Sequence, residues 1–212
     1  MIPLSSQKIV ITGAAEGLGA AIARHLSAQG ARLVLMDRNA LALAQTQALC
    51  PGSTALTVDL SDAAATAEAI AQFSTPIDTV IHNAAILRVE AVDDTNLATF
   101  QATLNVGIQA AFQLTQAVWP QMKTHGGALI FVSSRSGIEG FVNETAYCAA
   151  KHALEGFSKC LAIEGAPHGI VSYTITPGML MNTPMSETTY GAEQRARWVD
   201  PIRLAPAFAH LA

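Results

Sequence analysis

The chain has 212 residues, 50% of them hydrophobic and 13% charged, and its net charge is -4. This composition can build a sizeable core and excludes an intrinsically disordered chain, and the acidic balance argues against nucleic acid or an anionic membrane surface as a partner. With no apolar run of the ~18 residues that cross a bilayer, no leader-like N-terminus and three scattered cysteines, we expect a cytoplasmic protein with reduced thiols.

Strand and helix patterns alternate along the chain. A β-branched run over 8–12 predicts the first strand, and a glycine-rich turn and a helix over about 18–29 follow it. Later strands are predicted over 31–36, 53–58, 77–82, 128–133 and 170–176. The helices between them are predicted over 39–50, about 61–73, 94–123 and 144–165, and a loop from 177 to about 201 leads to a last short helical piece. Such alternation implies βαβ units, a parallel sheet covered on both faces, and ligands bound at the carboxyl ends of the strands.

Three polar side chains at the fifth strand and the helix after it could transfer a proton. Tyr147 and Lys151 are one helical turn apart, so they share a face of the predicted helix. A phenol has an unperturbed pKa of ~10, and a nearby ammonium favours the phenolate, so we expect Lys151 to lower the pKa of Tyr147. Ser134 could hold a substrate oxygen beside the phenol. Taken alone, a Tyr and a Lys at this spacing would usually be a surface pair.

A glycine-rich turn follows the first strand. Gly13, Gly17 and Gly19 allow the backbone to turn sharply and approach a diphosphate at the N-terminus of the next helix, where free N–H groups favour anions. A purely structural turn would look similar, but a position between a strand and a helix favours a dinucleotide.

Charged residues near this turn bear on the choice of dinucleotide. Asp37 could accept hydrogen bonds from both ribose hydroxyls, and Asp37 and Glu16 would repel a 2′-phosphate. Arg38 argues the other way, because it could bind that phosphate. We therefore expect NAD, with NADP as the less favoured alternative. Asp59 could either cap a turn or accept from the adenine amine, with Leu60 against the ring.

Together these residues resemble the short-chain dehydrogenase/reductase family in its compact single-domain form. The matching segments span almost the whole chain in order: 12–19, 83–85, Asn105, Ser134, 147–151, 177–178 and Thr183. The resemblance implies a Rossmann-like, doubly wound α/β fold with three layers and strand order 3-2-1-4-5-6. It also implies a single NAD(P)-binding domain over 1–212, with a substrate-covering segment at about 179–200.

The resemblance implies roles for individual residues. Tyr147 would be the general acid/base, Lys151 would lower its pKa and bind the nicotinamide ribose, and Ser134 would orient the substrate oxygen, although Ser133 or Ser136 could compete for that role. Asn105 would hold a water in a proton relay from Lys151, with a buried, hydrogen-bonded amide as an equal alternative. The implied cofactor-binding set is Gly13, Ala15, Glu16, Gly17, Leu18, Gly19, Asp37, Arg38, Asp59, Leu60, Asn83, Ala84, Ala85, Tyr147, Lys151, Pro177, Gly178 and Thr183, with Thr183 near the nicotinamide carboxamide.

The expected substrate is a small to medium secondary alcohol or ketone. Flexible methionines suit a hydrophobic or adaptable pocket, to which Arg135, Asn143 and Glu144 could add polarity. The histidines and cysteines lack metal-ligand spacing, so no catalytic metal is expected. The predicted substrate site consists of Ser134, Ser136, Phe141, Tyr147, Met179 and Met181.

Two features depart from the family pattern. Ala85 stands where the family usually has glycine, and its methyl group could crowd the cofactor. The chain also stops at Ala212, where family members usually continue into a seventh strand, so one sheet edge would be exposed.

The sequence thus predicts an NAD-dependent oxidoreductase acting on CH–OH groups. By the same resemblance we expect a homodimer or homotetramer that associates through the long helix and the helix of Tyr147. A nucleotide-binding regulator with little turnover is the first rival, and an epimerase or dehydratase with retained NAD is a weaker one.

Overall fold

Six parallel strands form one sheet at the centre of the structure, a computed structural model that describes residues 3–74, 76–190 and 192–212. The strands are β1 Lys8–Thr12, β2 Arg32–Asp37, β3 Thr54–Thr57, β4 Thr79–His82, β5 Gly127–Val132 and β6 Ile170–Ile175. Their order is β3-β2-β1-β4-β5-β6, which confirms the predicted Rossmann-like fold. The order reverses between β1 and β4, and a crevice at the carboxyl ends of these two strands is where such sheets bind ligands.

Helices cover both faces of the sheet. They are α1 Gly17–Ala28, α2 Ala40–Ala48, α3 Ala63–Ile70, α4 Leu97–Leu104, α5 Ala110–His125, α6 Thr145–Gly165, α7 Pro184–Thr189 and α8 Ala205–Leu211. Within the residues that the structure describes, none of these helices is both long enough and apolar enough to cross a bilayer.

Neighbouring side chains of each strand pack on opposite faces of the sheet. Val10 of β1 belongs to a buried cluster with residues of α5 and α6, such as Leu114 and Leu154. Ile9 belongs to a second cluster, with residues of α1 and α2 and with Phe208 of α8. Both faces are apolar, as expected for a parallel sheet between two helical layers.

The long helical pattern predicted over 94–123 contains an interruption. Asn96 accepts a hydrogen bond from the backbone N–H of Thr99, so the first helix begins at Leu97. A π-helical turn at Asn105–Gln109 then separates α4 from α5, and the Ala110 N–H bonds to the carbonyl of Asn105. Such turns are rare and are frequent at functional sites.

The segment after β6 is not the continuous loop that the sequence predicts. It contains α7 and a 3-10 turn at Ala192–Arg197. Thr183 caps α7 by accepting a hydrogen bond from the Ser186 N–H, and Pro184 occupies the first helical position. The loop prediction was therefore wrong for these residues; residue 191, also in the predicted substrate-covering segment, lies outside the described residues.

A buried histidine joins β1, β4 and the π-helical turn. His82 Nε2 lies 3.0 and 3.1 Å from two carbonyl oxygens of that turn, and Nδ1 lies 3.0 Å from Thr12 Oγ1. Because carbonyls can only accept, Nε2 carries the proton and the Thr12 hydroxyl donates to Nδ1. Thr12 Oγ1 in turn accepts from the backbone N–H groups of Asn83 and Ala84. This chain of hydrogen bonds fixes the loop after β4 beside the glycine-rich turn.

Candidate active site

One cavity of about 560 Å³ opens at the carboxyl edge of the sheet. It occupies the position predicted from the reversal of strand order. The sequence-predicted residues that line it are Gly13, Glu16, Gly17, Leu18, Asp37, Arg38, Asp59, Leu60, Asn83, Ala84, Ala85, Ser134, Ser136, Phe141, Tyr147, Lys151, Pro177, Gly178, Met179, Met181 and Thr183. Residues from both halves of the chain thus meet around one space.

Ala15, Gly19 and Asn105 belong to the predicted set but do not line the cavity. The Ala15 N–H donates to Asp37 Oδ2 at 3.1 Å, so it supports that carboxylate. A Cβ at Gly19 would clash with the carbonyl oxygen of Gly13, so Gly19 allows the turn to close. Asn105 donates from Nδ2 to the carbonyl of Ser61 at 2.9 Å, which is the hydrogen-bonded amide of the second alternative.

The glycine-rich turn follows a path that side chains would block. Gly13 has φ +64°, and a Cβ there would lie 2.8 Å from Asn83 Nδ2. Glu16, the N-cap residue of α1, makes no side-chain capping hydrogen bond. Its side chain therefore leaves the first-turn N–H groups to other acceptors, and the helix dipole favours an anion at this end.

Two aspartates line the end of the cavity near this turn. Asp37 Oδ2 accepts from Ala15, and Oδ1 accepts from the backbone N–H of Asn39 at 2.9 Å. Asp59 Oδ1 accepts from the backbone N–H and the hydroxyl of Ser61, and the backbone bond holds the pKa of Asp59 below its usual value. Asp59 therefore caps a turn and also lines the cavity.

Ser134, Tyr147 and Lys151 meet at the other end of the cavity. Lys151 is 2% exposed, and its ammonium donates to the carbonyl of Val132 at 2.6 Å. The same ammonium lies 5.4 Å from the centroid of the Tyr147 ring. Ser134 Oγ accepts from the Ser136 N–H at 3.2 Å, and the Ser134 side chain acts on the phenol of Tyr147.

Burial controls the protonation of both residues of this pair. It raises the pKa of Tyr147 to about 12, and the hydrogen bond with Ser134 offsets only part of that rise. Burial lowers the pKa of Lys151 to about 8, while the carboxylate of Glu155 opposes the change. The prediction that Lys151 lowers the pKa of Tyr147 is therefore wrong. Burial dominates and raises this pKa, and the ammonium of Lys151 is hydrogen-bonded to the carbonyl of Val132. The phenol is protonated at neutral pH and can donate a proton.

Two further residues line the cavity with Tyr147: Glu144, expected only to add polarity, and Tyr190, which lies in the predicted substrate-covering segment but was not singled out. Glu144 is 6% exposed, and its Oε2 accepts from Ser136 Oγ at 2.9 Å. Its Oε1 accepts from the hydroxyl of Tyr190 at 3.1 Å, and burial raises the pKa of Tyr190. The sequence shows Glu144 three positions before Tyr147, but it does not show that the carboxylate is buried. Tyr190 follows α7, whose helical structure the sequence prediction misses.

The segment after β6 contributes part of the cavity wall. Met181 forms a parallel bridge with Val199, which holds the two ends of the segment together. A Cβ at Gly17 would lie 3.1 Å from Thr183 Cβ, so the segment also contacts the glycine-rich turn. The segment after β6 thus contacts the glycine-rich turn through Thr183 and Glu144 through Tyr190.

The family model described as short chain dehydrogenase matches residues 7–194. The chain belongs to the short-chain dehydrogenase family. L-xylulose reductase from Bos taurus is 31% identical over 196 residues, which are 92% of this chain and 80% of that protein. D-threitol dehydrogenase from Mycolicibacterium smegmatis is 31% identical over 186 residues, which are 84% of this chain and 72% of that protein.

Solved structures of short-chain dehydrogenases superpose on almost all of this chain. One, described as a short chain dehydrogenase/reductase family protein, has a TM-score of 0.92 at 26% identity and covers 100% of this chain and 91% of its own. Another, described as a short chain dehydrogenase from Shigella flexneri complexed with NADP, has a TM-score of 0.88 at 28% identity and covers 99% of this chain and 92% of its own. The protein thus belongs to an oxidoreductase family that uses a nicotinamide cofactor.

The short-chain dehydrogenase cavity has the shape and chemistry for such a cofactor. A Cβ at Gly13 or Gly19 would meet backbone or amide atoms of the protein, so these glycines let the turn close tightly before α1, whose N-terminus favours an anion. The carboxylate of Asp37 suits ribose hydroxyls, and the pair Tyr147 and Lys151 lies at the opposite end of the same cavity. Across the described ranges, no cluster of three or more His, Cys, Asp or Glu is arranged to hold a metal ion.

Proposed function

We propose that the protein interconverts a secondary alcohol and a ketone with NAD as the preferred cofactor. One observation carries the proposal: Ser134, Tyr147 and Lys151 line the same cavity as the glycine-rich turn and Asp37. A proton-transfer group and a dinucleotide cradle then share one space. In this proposal residues 1–212 act as a single dinucleotide-binding domain, with the segment at about 179–200 over the substrate.

Tyr147 exchanges a proton with the substrate oxygen. When bound, the cofactor supplies hydride transfer at the carbinol carbon. In ketone reduction Tyr147, protonated at neutral pH because burial raises its pKa to about 12, donates its proton to the carbonyl oxygen. In the reverse direction the phenolate accepts the hydroxyl proton. Ser134 orients the substrate oxygen, and Lys151, which lines the same cavity, would bind the nicotinamide ribose when the cofactor is present.

NAD is favoured by charge at the ribose end of the cavity. Asp37 and Glu16 both line it, and either carboxylate would repel a 2′-phosphate. Arg38 lines it too and is the residue that would attract such a phosphate. Two acidic groups against one guanidinium, with Asp37 fixed by two backbone N–H groups, support NAD.

The substrate we propose is a small to medium secondary alcohol or ketone. The named reactions of the relatives, on xylulose, erythrulose and threitol, support a small substrate with reactive CH–OH or C=O groups. Phe141, Met179 and Met181 supply apolar wall next to Tyr147. The adaptable methionine side chains suit more than one substrate shape.

We also infer a homodimer or homotetramer formed through the faces of α4 to α6. Leu97 of α4, Phe112 of α5 and Ile163 of α6 are 68%, 48% and 77% exposed. Large apolar side chains on neighbouring helices support an interface between copies.

The experiment that tests the function is a panel of secondary alcohols followed at the absorbance of reduced nicotinamide. We expect NAD to be reduced with at least one alcohol, and Tyr147→Phe to lower the rate by about 100-fold or more, because it removes the proton-transfer group. Binding of NADH, measured by fluorescence, should persist in this variant. Tyr173→Phe, a change of the same type on β6 outside the cavity, is the matched control and should retain activity.

Two other results would favour a different function, and a third would exclude Tyr147 from the chemistry. Binding of NADH without turnover of any alcohol or ketone would favour a nucleotide-binding regulator. Tightly retained NAD with conversion of a substrate but no net reduction would favour an epimerase or dehydratase. Full activity of Tyr147→Phe would remove Tyr147 from the chemistry.

A further inference from the structure

Glu144 is a buried carboxylate that lines the cavity and does not cap the helix it precedes. It is the N-cap residue of α6, yet its side chain makes no capping hydrogen bond there. Only its backbone carbonyl serves the helix, by accepting from Cys148 N–H at 2.8 Å. A carboxylate at this position would ordinarily bind the free N–H groups of the first turn. In this structure the carboxylate of Glu144 instead binds the hydroxyls of Ser136 and Tyr190.

The backbone before Glu144 adopts an unusual conformation. Asn143 has φ +64°, and it is the single non-glycine residue with positive φ in the described chain. Left-handed conformations of this kind are uncommon outside glycine and concentrate at functional sites. The conformation coincides with the point where the chain brings the next side chain into the cavity wall.

The carboxylate of Glu144 has no counter-ion. In the described part of the chain, the ion pairs join Arg135 to Glu139 and Arg195 to Glu187, so Glu144 takes part in none. Its two contacts are the hydroxyls of Ser136 and Tyr190, one on each oxygen. A carboxylate has about four acceptor positions, so these two bonds leave capacity for further donors. Burying a carboxylate whose acceptor positions lack donors costs free energy. A ligand that donates a hydrogen bond to it should therefore bind more tightly.

The position of Glu144 relative to Tyr147 fixes which part of a substrate it can reach. Side chains three positions apart on a helix have Cβ atoms about 5–6 Å apart. A hydrogen bond between two oxygens spans about 2.7 Å. Because Glu144 and Tyr147 line one cavity, we expect a substrate that bonds Tyr147 through one oxygen to bring an oxygen on the next carbon within reach of Glu144.

We propose that Glu144 is a specificity-determining residue that accepts a hydrogen bond from a substrate hydroxyl on the carbon next to the reacting one. The preferred substrates are then vicinal diols and α-hydroxyketones. The inference rests on the proposed oxidoreductase function and adds the substrate class. A hydroxyl suits the site better than an ammonium because both donors already on the carboxylate are neutral hydroxyls, and the ammonium of Lys151 lies in the same cavity.

The test compares substrates that differ by one hydrogen-bond donor. Butane-2,3-diol and 3-methoxybutan-2-ol both have an oxygen next to the reacting carbinol, but only the diol has a hydrogen to donate from it. We expect kcat/KM with NAD to favour the diol by about 10- to 100-fold in the unsubstituted protein, the range for a hydrogen bond to a charged group. In Glu144→Ala this ratio should fall to near one, and in Glu144→Gln it should be intermediate.

Glu139→Ala is the matched control. Glu139 is an exposed carboxylate in the same stretch, paired with Arg135, and its removal should leave the ratio unchanged. A second readout needs no turnover: the diol should raise the melting temperature of the NADH-bound protein more than the methoxy alcohol does. That difference should disappear in Glu144→Ala and should be smaller in Glu144→Gln, which retains the shape of the side chain and one acceptor oxygen.

Each contrary result has a distinct meaning. If Glu144→Ala slows both alcohols equally, the carboxylate only holds Tyr190 and the proposal is wrong. A preference for 3-aminobutan-2-ol over the diol that depends on Glu144 would also overturn it, because the residue would then recognise positive charge. If no alcohol is oxidised and both ligands give the same melting temperature, the proposed function and this inference are both wrong. If alcohols are oxidised but the kcat/KM ratio of diol to methoxy alcohol is the same in all variants, only this inference is wrong.

Discussion

Asp37 holds its carboxylate in place with two backbone hydrogen bonds, from Ala15 and Asn39. A carboxylate has about four acceptor positions, so two remain for the hydroxyls of a ribose. Its negative charge also lies at the end of the cavity where a 2′-phosphate would have to bind. Under the proposed preference for NAD, Asp37 would attract the hydroxyls of the NAD ribose and repel the 2′-phosphate of NADP.

Replacing Asp37 with serine should narrow or reverse the preference for NAD. The change removes the charge and lets Arg38 act on a 2′-phosphate, so we expect the kcat/KM ratio of NAD over NADP to fall by about 10- to 100-fold. Asp93→Ser removes an exposed carboxylate outside the cavity and is the control. An unchanged ratio in Asp37→Ser would exclude Asp37 from the ribose site.

The residues of the proton-transfer group could be predicted, but their protonation could not. Tyr147 and Lys151 share a face because of their spacing, and this follows from helix geometry alone. The raised pKa of Tyr147 and the lowered pKa of Lys151 come from burial, and the Val132 carbonyl that binds the ammonium is on a different element. Glu144 could be predicted as a polar group of the pocket, but its burial and its hydrogen bonds to Ser136 and Tyr190 could not, because those partners lie elsewhere in the chain.

At the scale of elements, the π-helical turn Asn105–Gln109 brings the long helix close to α6. Gly107 is the point of contact, because a Cβ there would lie 2.7 Å from Ala150 Cβ. Ala150 immediately precedes Lys151 on α6. The absence of a side chain at Gly107 thus sets how deeply the helix that carries Tyr147 lies in the molecule.

Gly107→Ala should destabilise the protein by about 1–3 kcal/mol, as expected for an extra methyl group in a packed contact. Ala150→Gly costs some stability because glycine is a poor helix former, but it removes the atom that the new methyl group would strike, so the double variant should lose less than the sum of the two single variants. Urea denaturation of both single variants and the double variant measures this coupling. Additive losses would mean that the two residues do not determine the helix spacing.

The sequence predicts α4 and α5 as one helix because a π-helical turn leaves the apolar periodicity nearly intact. What makes the turn is tertiary: its carbonyls bind His82 from β4, and Asn105 binds Ser61. Helix α7 is missed for a different reason. It spans only Pro184–Thr189, too short to show a period, although Thr183 and Pro184 supply a recognisable start.

At the scale of the whole molecule, the sheet order was predictable because family resemblance and alternating strands and helices leave few topologies. The alternation of strands and helices does not show which side chains connect the sheet to the long helical segment α4–α5. His82 makes this connection, with Thr12 on one side and two carbonyls of the π-helical turn on the other. It is 1% exposed, so its protonation affects the stability of the entire fold.

Acid should destabilise the protein partly through His82. Burial lowers the pKa of His82 to about 4, and the charge of Lys151 acts in the same direction. In the unfolded chain a histidine has a pKa of ~6.5. Between these two values the unfolded chain binds a proton that the folded chain excludes, so the free energy of unfolding falls as pH falls from about 6.5 toward 4. From pH 7 to 4.5 the His82 contribution amounts to about 2–3 kcal/mol.

His82→Gln should reduce this pH dependence, even though the loss of hydrogen bonds makes the variant less stable at pH 7. The measurement is the free energy of unfolding in urea at pH 7 and at pH 4.5 for each protein, and the quantity compared is the difference between the two pH values. His152→Gln, a replacement at an exposed position of α6, is the control. Carboxylates such as Asp59 add their own acid sensitivity, but that part is common to all three proteins. An equal pH difference in His82→Gln and the unsubstituted protein would mean that the buried imidazole is not what the acid titrates.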